Sequence, residues 1–164
     1  MEKELEKKFV SELQQNQGII HKICRAYAKD DAAHKDLFQE ISIQLFRAYP
    51  KFKGEAKFST WMYRVALNTA ISLYRKSKRE IKTSEIFDNL KELEFHDYDA
   101  TKDNQVKQLY KAIHTLNDID KALALMYLDD KPYAEISITL GISEVNARVK
   151  MNRVKTKLKK LLNP

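Results

Sequence analysis

Four side chains near the end of the chain, Arg148, Val149, Asn152 and Arg153, have the chemistry and the spacing to read the edge of a DNA duplex. At about 100° per residue they lie on one side of a helix. An arginine fork fits guanine, an asparagine amide fits adenine, and a valine meets a thymine methyl. Val145 and Thr156 share this face, and Asn146, Lys150, Lys155, Lys157, Lys159 and Lys160 lie further round, where the lysines can meet phosphates by charge alone. The opposite side carries Ala147, Met151, Val154, Leu158 and Leu161 as one apolar stripe, which must face a core. Charge alone would equally suit a helix whose basic side is merely solvated.

The residues upstream weigh against that simpler reading. Pro132 suits the first turn of a helix, where its missing N–H costs nothing, and Tyr133, Ile136 and Leu140 recur on one face of it. Gly141 can take the left-handed conformation that ends a helix, and the Ser143 hydroxyl can cap the next one. Two helices bracketing so short a turn form a helix-turn-helix, with the second helix placed for a major groove.

A second set lies between residues 51 and 79. Lys51, Phe52, Lys53 and Lys57 form a basic loop, followed by Phe58 and a helical pattern containing Trp61, Arg64, Asn68, Arg75, Lys76 and Arg79. Rings interleaved with cations can stack unpaired bases while holding the strand's phosphates. Tyr63 and Tyr74 extend the set, although each ring taken singly also suits a core or boundary position. In this helix Ser59 is the expected cap, and Met62, Val65, Ala66, Thr69 and Leu73 are the expected inward face.

Asp36 and Glu40, four residues apart on another helix, are the acids to test for metal chemistry. Hard cations recruit several converging oxygens, and no further acid or histidine converges nearby, so a solvated or protein-docking face is the simpler reading. His21, His34, His96 and His114 are scattered and assigned no role. No nucleophile–base set, phosphate-cradling glycine loop or Cys/His metal spacing is present, so the chain is read as a non-enzyme without cofactor or metal.

Positioning these sets requires an all-α scaffold. With three glycines and three prolines in 164 residues, 43% of them apolar, helices should be long and their breaks few. Helices are expected at Glu4–Gln15 and Ile19–Lys29 with a break at Gly18, then at Ala33–Tyr49 with Leu37, Ile41 and Leu45 inward and Phe38 beside them. Residues 1–79 hold 16 Lys/Arg against 9 Asp/Glu, residues 80–105 hold 3 against 8, and residues 106–164 hold 11 against 6. Two small helical domains, 1–79 and 106–164, joined by an acidic linker at 80–105, follow from that division. Within the second, Val106–Thr115 and Asp118–Leu128 brace the helix-turn-helix. Cys24, the one cysteine, falls in an apolar pattern and is expected as a buried thiol in a reducing compartment. The charged N-terminus and the lack of a long apolar run predict a cytoplasmic protein with no membrane insertion.

Two ordered blocks resemble the extracytoplasmic-function group of bacterial sigma factors, the promoter-specificity subunits of RNA polymerase. Asp36-Leu37-Phe38-Gln39-Glu40, Phe52, the run from Phe58 to Ala66 and Asn68 are similar to that family's region two. Leu116, Tyr133, Glu135-Ile136, Leu140 to Ser143 and the helix through Arg153 are similar to its region four. Asn117, Ala147 and Lys150 depart from the family's frequent proline, larger aliphatic and arginine, which bears on sequence preference.

The resemblance implies tasks for each face. Asp36, Leu37, Gln39 and Glu40 would dock on the largest polymerase subunit. Loop 51–57 and the helix through Asn68 would engage the minus-ten element as it melts. Tyr133, Ser143, Asn146, Arg148, Val149, Asn152 and Arg153 would hold the minus-thirty-five element. The acidic linker would thread toward the RNA path, and an anti-sigma protein is a partner that many family members have. From the residues alone, a repressor or activator with an N-terminal sensing or dimerisation domain remains open, as does a metal-dependent nuclease built on Asp36 and Glu40.

Overall fold

The computed structural model describes residues 2–83 and 104–163, and every described element is helical. The order is α1 Glu2–Tyr27, α2 Asp31–Ala48, a 3-10 turn at Tyr49–Lys51, α3 Phe58–Thr83, α4 Asn104–His114, α5 Asp118–Leu128, α6 Tyr133–Leu140 and α7 Glu144–Leu162. Helices α1 to α3 pack on one another, as do α4 to α7, and the buried residues of the two sets join in one continuous core.

Helix α1 runs unbroken through Gly18, so the expected break does not occur. A glycine inside a helix costs about 1 kcal/mol relative to alanine. Ile20 and Ile23, fully buried just beyond it, contribute about 1.5–3 kcal/mol each, and packing therefore outweighs propensity. Cys24 is buried in the same turn, and loss of water pushes its thiol up to about 12. Asp30 caps α2 by accepting the Ala33 N–H at 2.8 Å, while Leu37, Ile41 and Leu45 turn inward as their spacing requires.

Helix α3 is rotated from expectation. It begins at Phe58, which places Ser59 within the first turn rather than at the cap. The buried side is Met62, Tyr63, Ala66, Leu67, Ala70 and Ile71, whereas Val65 and Thr69 lie at its margin and Leu73 is exposed. Tyr63 drew the stripe round because its ring is enclosed and its hydroxyl reaches Asp129 in the other half of the chain. The helix also continues to Thr83, past the expected boundary at Arg79, and α4 begins at Asn104, so the expected linker is helical at both ends. Its remainder, including the turn expected near Ile86–Leu93, lies outside the described residues.

The C-terminal elements follow the sequence closely. Pro132 stands at the N-cap of α6, one position before the expected turn, and Gly141 closes that helix at φ 69°. Ser143 Oγ accepts the Asn146 N–H at 3.0 Å at the start of α7. Ala147, Met151, Val154 and Leu158 are buried as read, but Leu161 is exposed because the last turn of α7 presents Leu162 inward instead.

The two halves are in contact. Helices α1 and α3 pack against α4, α5 and α6.

Candidate nucleic-acid interface

Helix α7 holds the duplex-reading set on the side that its buried stripe leaves open. Val145 is 69% exposed and Val149 44%, and Arg148, Asn152, Arg153 and Thr156 are exposed beside them. The Arg148 guanidinium lies 5.2 Å from the centre of the Tyr133 ring, which holds it toward α6 without taking its hydrogen-bond donors. Ser143 and Asn146 are committed to the first turn through the cap, so Asn146 joins the row by its side chain while its N–H is spent. Asn152, Arg153, Thr156, Lys157 and Lys160 line an open concavity of about 450 Å³.

In the first half, Phe52, Phe58 and Trp61 form one cluster over the buried Tyr49. Ring centres are 5.0 Å apart for Phe52 and Trp61 and 5.4 Å for Phe58 and Trp61. All three are partly buried, so each has one side in the core and one toward solvent. Lys51, Phe52, Lys53, Trp61 and Arg64 line a cleft of about 250 Å³, to whose lining Ile138 and Thr139 of α6 also contribute. Lys57 is exposed at the loop's end. Gly54 turns that loop at φ 74°, a conformation that side chains resist.

Asn68, Arg75, Lys76 and Arg79 are exposed along α3. A second cleft, about 810 Å³, has Asn68, Ser72, Arg75 and Arg79 on one wall and Asn117 and Asp118 on the other. Arg75 donates to the Asp118 carboxylate. Tyr63 is fully buried and is no part of a stacking surface, and Tyr74 is half-buried over Lys121.

On α2, Asp36 and Gln39 are exposed, and Glu40 accepts from the Gln44 amide at 2.9 Å. Leu37 is separated from them, for its side chain is 7% exposed and belongs to the core. No group of three or more His, Cys, Asp or Glu suited to a metal occurs among the described residues.

The histidines differ from the sequence reading. His34 is buried with Nε2 3.1 Å from His21 Nδ1, and His21 stacks on Phe38. His114 bonds the Ala28 carbonyl at 2.8 Å across the two halves, which no local spacing could signal.

Two helical modules, one with a helix-turn-helix and one with an aromatic and basic face, are the arrangement of a nucleic-acid-binding protein. Comparison with known proteins makes the class specific. Residues 13–80 match the family model for sigma-70 region 2, and residues 107–158 match that for sigma-70 region 4. The RNA polymerase sigma factor SigZ of Bacillus subtilis is 31% identical over 138 residues, covering 81% of this chain and 74% of that protein. The ECF RNA polymerase sigma-E factor of Escherichia coli K12 is 26% identical over 141 residues, with 79% and 73% covered. In structure, the sigma factor RpoE of Bartonella quintana, solved with the anti-sigma factor NepR, superposes with a TM-score of 0.79 at 18% identity, over 95% of this chain and 97% of that one. The chain belongs to the extracytoplasmic-function group of sigma-70 family factors. It is a sigma factor that directs RNA polymerase to promoters, and the repressor reading is not favoured.

Proposed function

We propose that the two modules divide promoter recognition between them, with residues 1–79 docking on core polymerase and engaging the minus-ten element and residues 106–164 gripping the minus-thirty-five element as duplex. The observation that carries this reading is the exposed row Arg148, Val149, Asn152 and Arg153, set opposite a fully buried stripe on the second helix of a helix-turn-helix. The minus-ten work falls to the cleft of Lys51, Phe52, Lys53, Trp61 and Arg64. Flipping a base costs a few kcal/mol. Stacking on a ring such as Trp61 returns about 1–3 kcal/mol per base, enough to bias a melting duplex once phosphates are held by Lys57, Arg75 and Arg79.

Asp36, Gln39 and Glu40 form the docking face, with Leu37 serving to hold that helix in place. Polymerase performs the chemistry, and the factor works in the cytoplasm without cofactor or metal. An anti-sigma protein fits as a further partner, since the Bartonella relative was solved with one. Among the described residues no helix is long and apolar enough to cross a membrane. The test is a pull-down: Asp36→Ala with Glu40→Ala should lower recovery of core polymerase about tenfold or more, at roughly 1.4 kcal/mol per decade, with unchanged helical content. Equal recovery would remove the docking face from this reading.

A further inference from the structure

Two cations of α7 are held by aromatic rings, and they are held differently. Arg148 and Lys155 are seven residues apart, close to two turns of helix, so they stand in one row along α7. The Lys155 ammonium is half-buried and lies 4.2 Å from the centre of the Tyr127 ring. Arg148 is exposed, and its guanidinium lies over the Tyr133 ring at 5.2 Å, inside the roughly 6 Å at which a ring face attracts a cation. Arg153 differs from both. Among the described residues this second arginine of the reading row meets no ring and no carboxylate.

The ring under Arg148 is fixed from below. Tyr133 is the first residue of α6, and the Pro132 carbonyl before it accepts the Glu135 and Ile136 N–H groups, each at 3.0 Å. Ile136 is fully buried, and Tyr133 is itself packed against the core. On the other helix Ala147, the neighbour of Arg148, is fully buried and donates its N–H to Ser143 O at 2.9 Å. Both backbones that carry the pair are thus anchored close to the turn between α6 and α7, which limits how far ring and guanidinium can part.

An arginine on an open helix surface samples many rotamers, and ordering it against a base offsets part of what the contact contributes. A ring under the guanidinium occupies one of its faces and narrows that choice. The N–H donors lie in the plane of the group, and among the described residues no hydrogen bond takes them from Arg148. They remain free for the two acceptors of a guanine edge. A lysine could not use this support in the same way, because its ammonium is a point charge without a fork.

We propose that Tyr133 is a positioning residue of the upstream-element reader, its ring presenting the Arg148 fork to one base pair and so setting the base preference at that position. The proposal rests on the reading of α7 given above. It makes Tyr133 act through Arg148 rather than by touching DNA itself.

The experiment uses the full chain assembled with core polymerase and a pool of promoter fragments whose upstream element is randomised; bound fragments are sequenced, and thermal melts check that each variant folds. Arg148→Ala should lose a guanine preference at one position by at least about fivefold. Tyr133→Leu should lose the same preference at the same position, while leaving the position that Arg153→Ala relaxes as in wild type. Tyr133→Met, which fills the volume without a ring face, serves as a second ringless variant and should behave alike. Tyr133→Phe keeps the ring and should keep the preference. In the Arg148→Ala background Tyr133→Leu should add nothing, because the group it acts through is gone. Even loss across all positions, a Tyr133→Phe variant as impaired as Tyr133→Leu, or additive effects in the double variant overturn the proposal. Two outcomes separate it from the reading beneath it. If Arg148→Ala selects the same element as wild type, the reading of α7 fails and Tyr133 has nothing to position; if Arg148→Ala relaxes one position and both ringless variants keep it, the positioning role alone falls.

Discussion

At the scale of single residues, position relative to the helix axis decided which expectations held. On α7 the wheel worked because small and large apolar groups alternate with cations, leaving only one stripe that could be buried, and Arg148 fell on the outward side. Arg148→Ala should weaken use of the upstream element by about 1–3 kcal/mol per lost base contact, read as transcription from a mapped promoter against the same promoter lacking that element. Equal loss on both templates would assign Arg148 a structural task at Tyr133 instead. On α3 the same method misplaced the stripe. Val65 and Leu73 are as apolar as Leu67 and Ile71, and long-range packing against α1, α2 and α5, with the bond from Tyr63 to Asp129 among its contacts, selects between the two faces. Leu37 was legible as core by its spacing with Ile41 and Leu45, yet the family resemblance drew it into the docking set.

Among the elements, glycine carries opposite meanings at two positions. Gly141 sits at φ 69° and an added Cβ would meet no atom within 4 Å, so Gly141→Ala incurs backbone strain alone. It should destabilise by about 1–2 kcal/mol. Gly18 lies inside α1, also with open space around it, and Gly18→Ala should stabilise by roughly 1 kcal/mol. Thermal melts of both variants check the pair, and a destabilised Gly18→Ala would mean that the helix needs its weak point. Sequence could place Gly141, because Ile142 and the Ser143 cap follow at once. It could not place Gly18, since whether a glycine interrupts a helix depends on what the next turn buries.

Across the whole molecule, the all-α class and the family were legible in spacing and motif, but the packing of the two halves on each other was not. Its contacts join residues 43 to 107 apart and end on groups, such as main-chain carbonyls, that no spacing rule marks. They make the arrangement sensitive to pH. Burial pushes the Lys121 ammonium down to about 7, Lys78 repels it further, and Asp118 partly restores it. The Tyr27 and Tyr74 rings and the Ala26 carbonyl solvate it in place of water. His114 is lowered as well, first by burial and then by Lys121, against the support of its bond to Ala28.

In the unfolded chain both groups regain ordinary values, so it binds more protons and the folded form gains as pH rises. The Lys121 contribution is lost as pH falls toward about 7, and His114 adds to the loss below its ordinary 6.5. Thermal melts should therefore find a lower melting temperature at pH 6 than at pH 9. Lys121→Met should flatten most of that difference, and an equal pH response in the variant would assign it elsewhere.

The three hydrogen bonds that end on Ala26, Ala28 and Asp118 use carbonyls, which every amino acid possesses. The side chains of Ala26 and Ala28 can be exchanged without deleting the acceptors, whereas Arg75 and Asp118 must be kept as a matched pair. A chimera that grafts a related factor's C-terminal half onto this N-terminal half should therefore keep its seam if Lys121 and His114 have counterparts, and one charge swap would suffice to tune how tightly the graft holds.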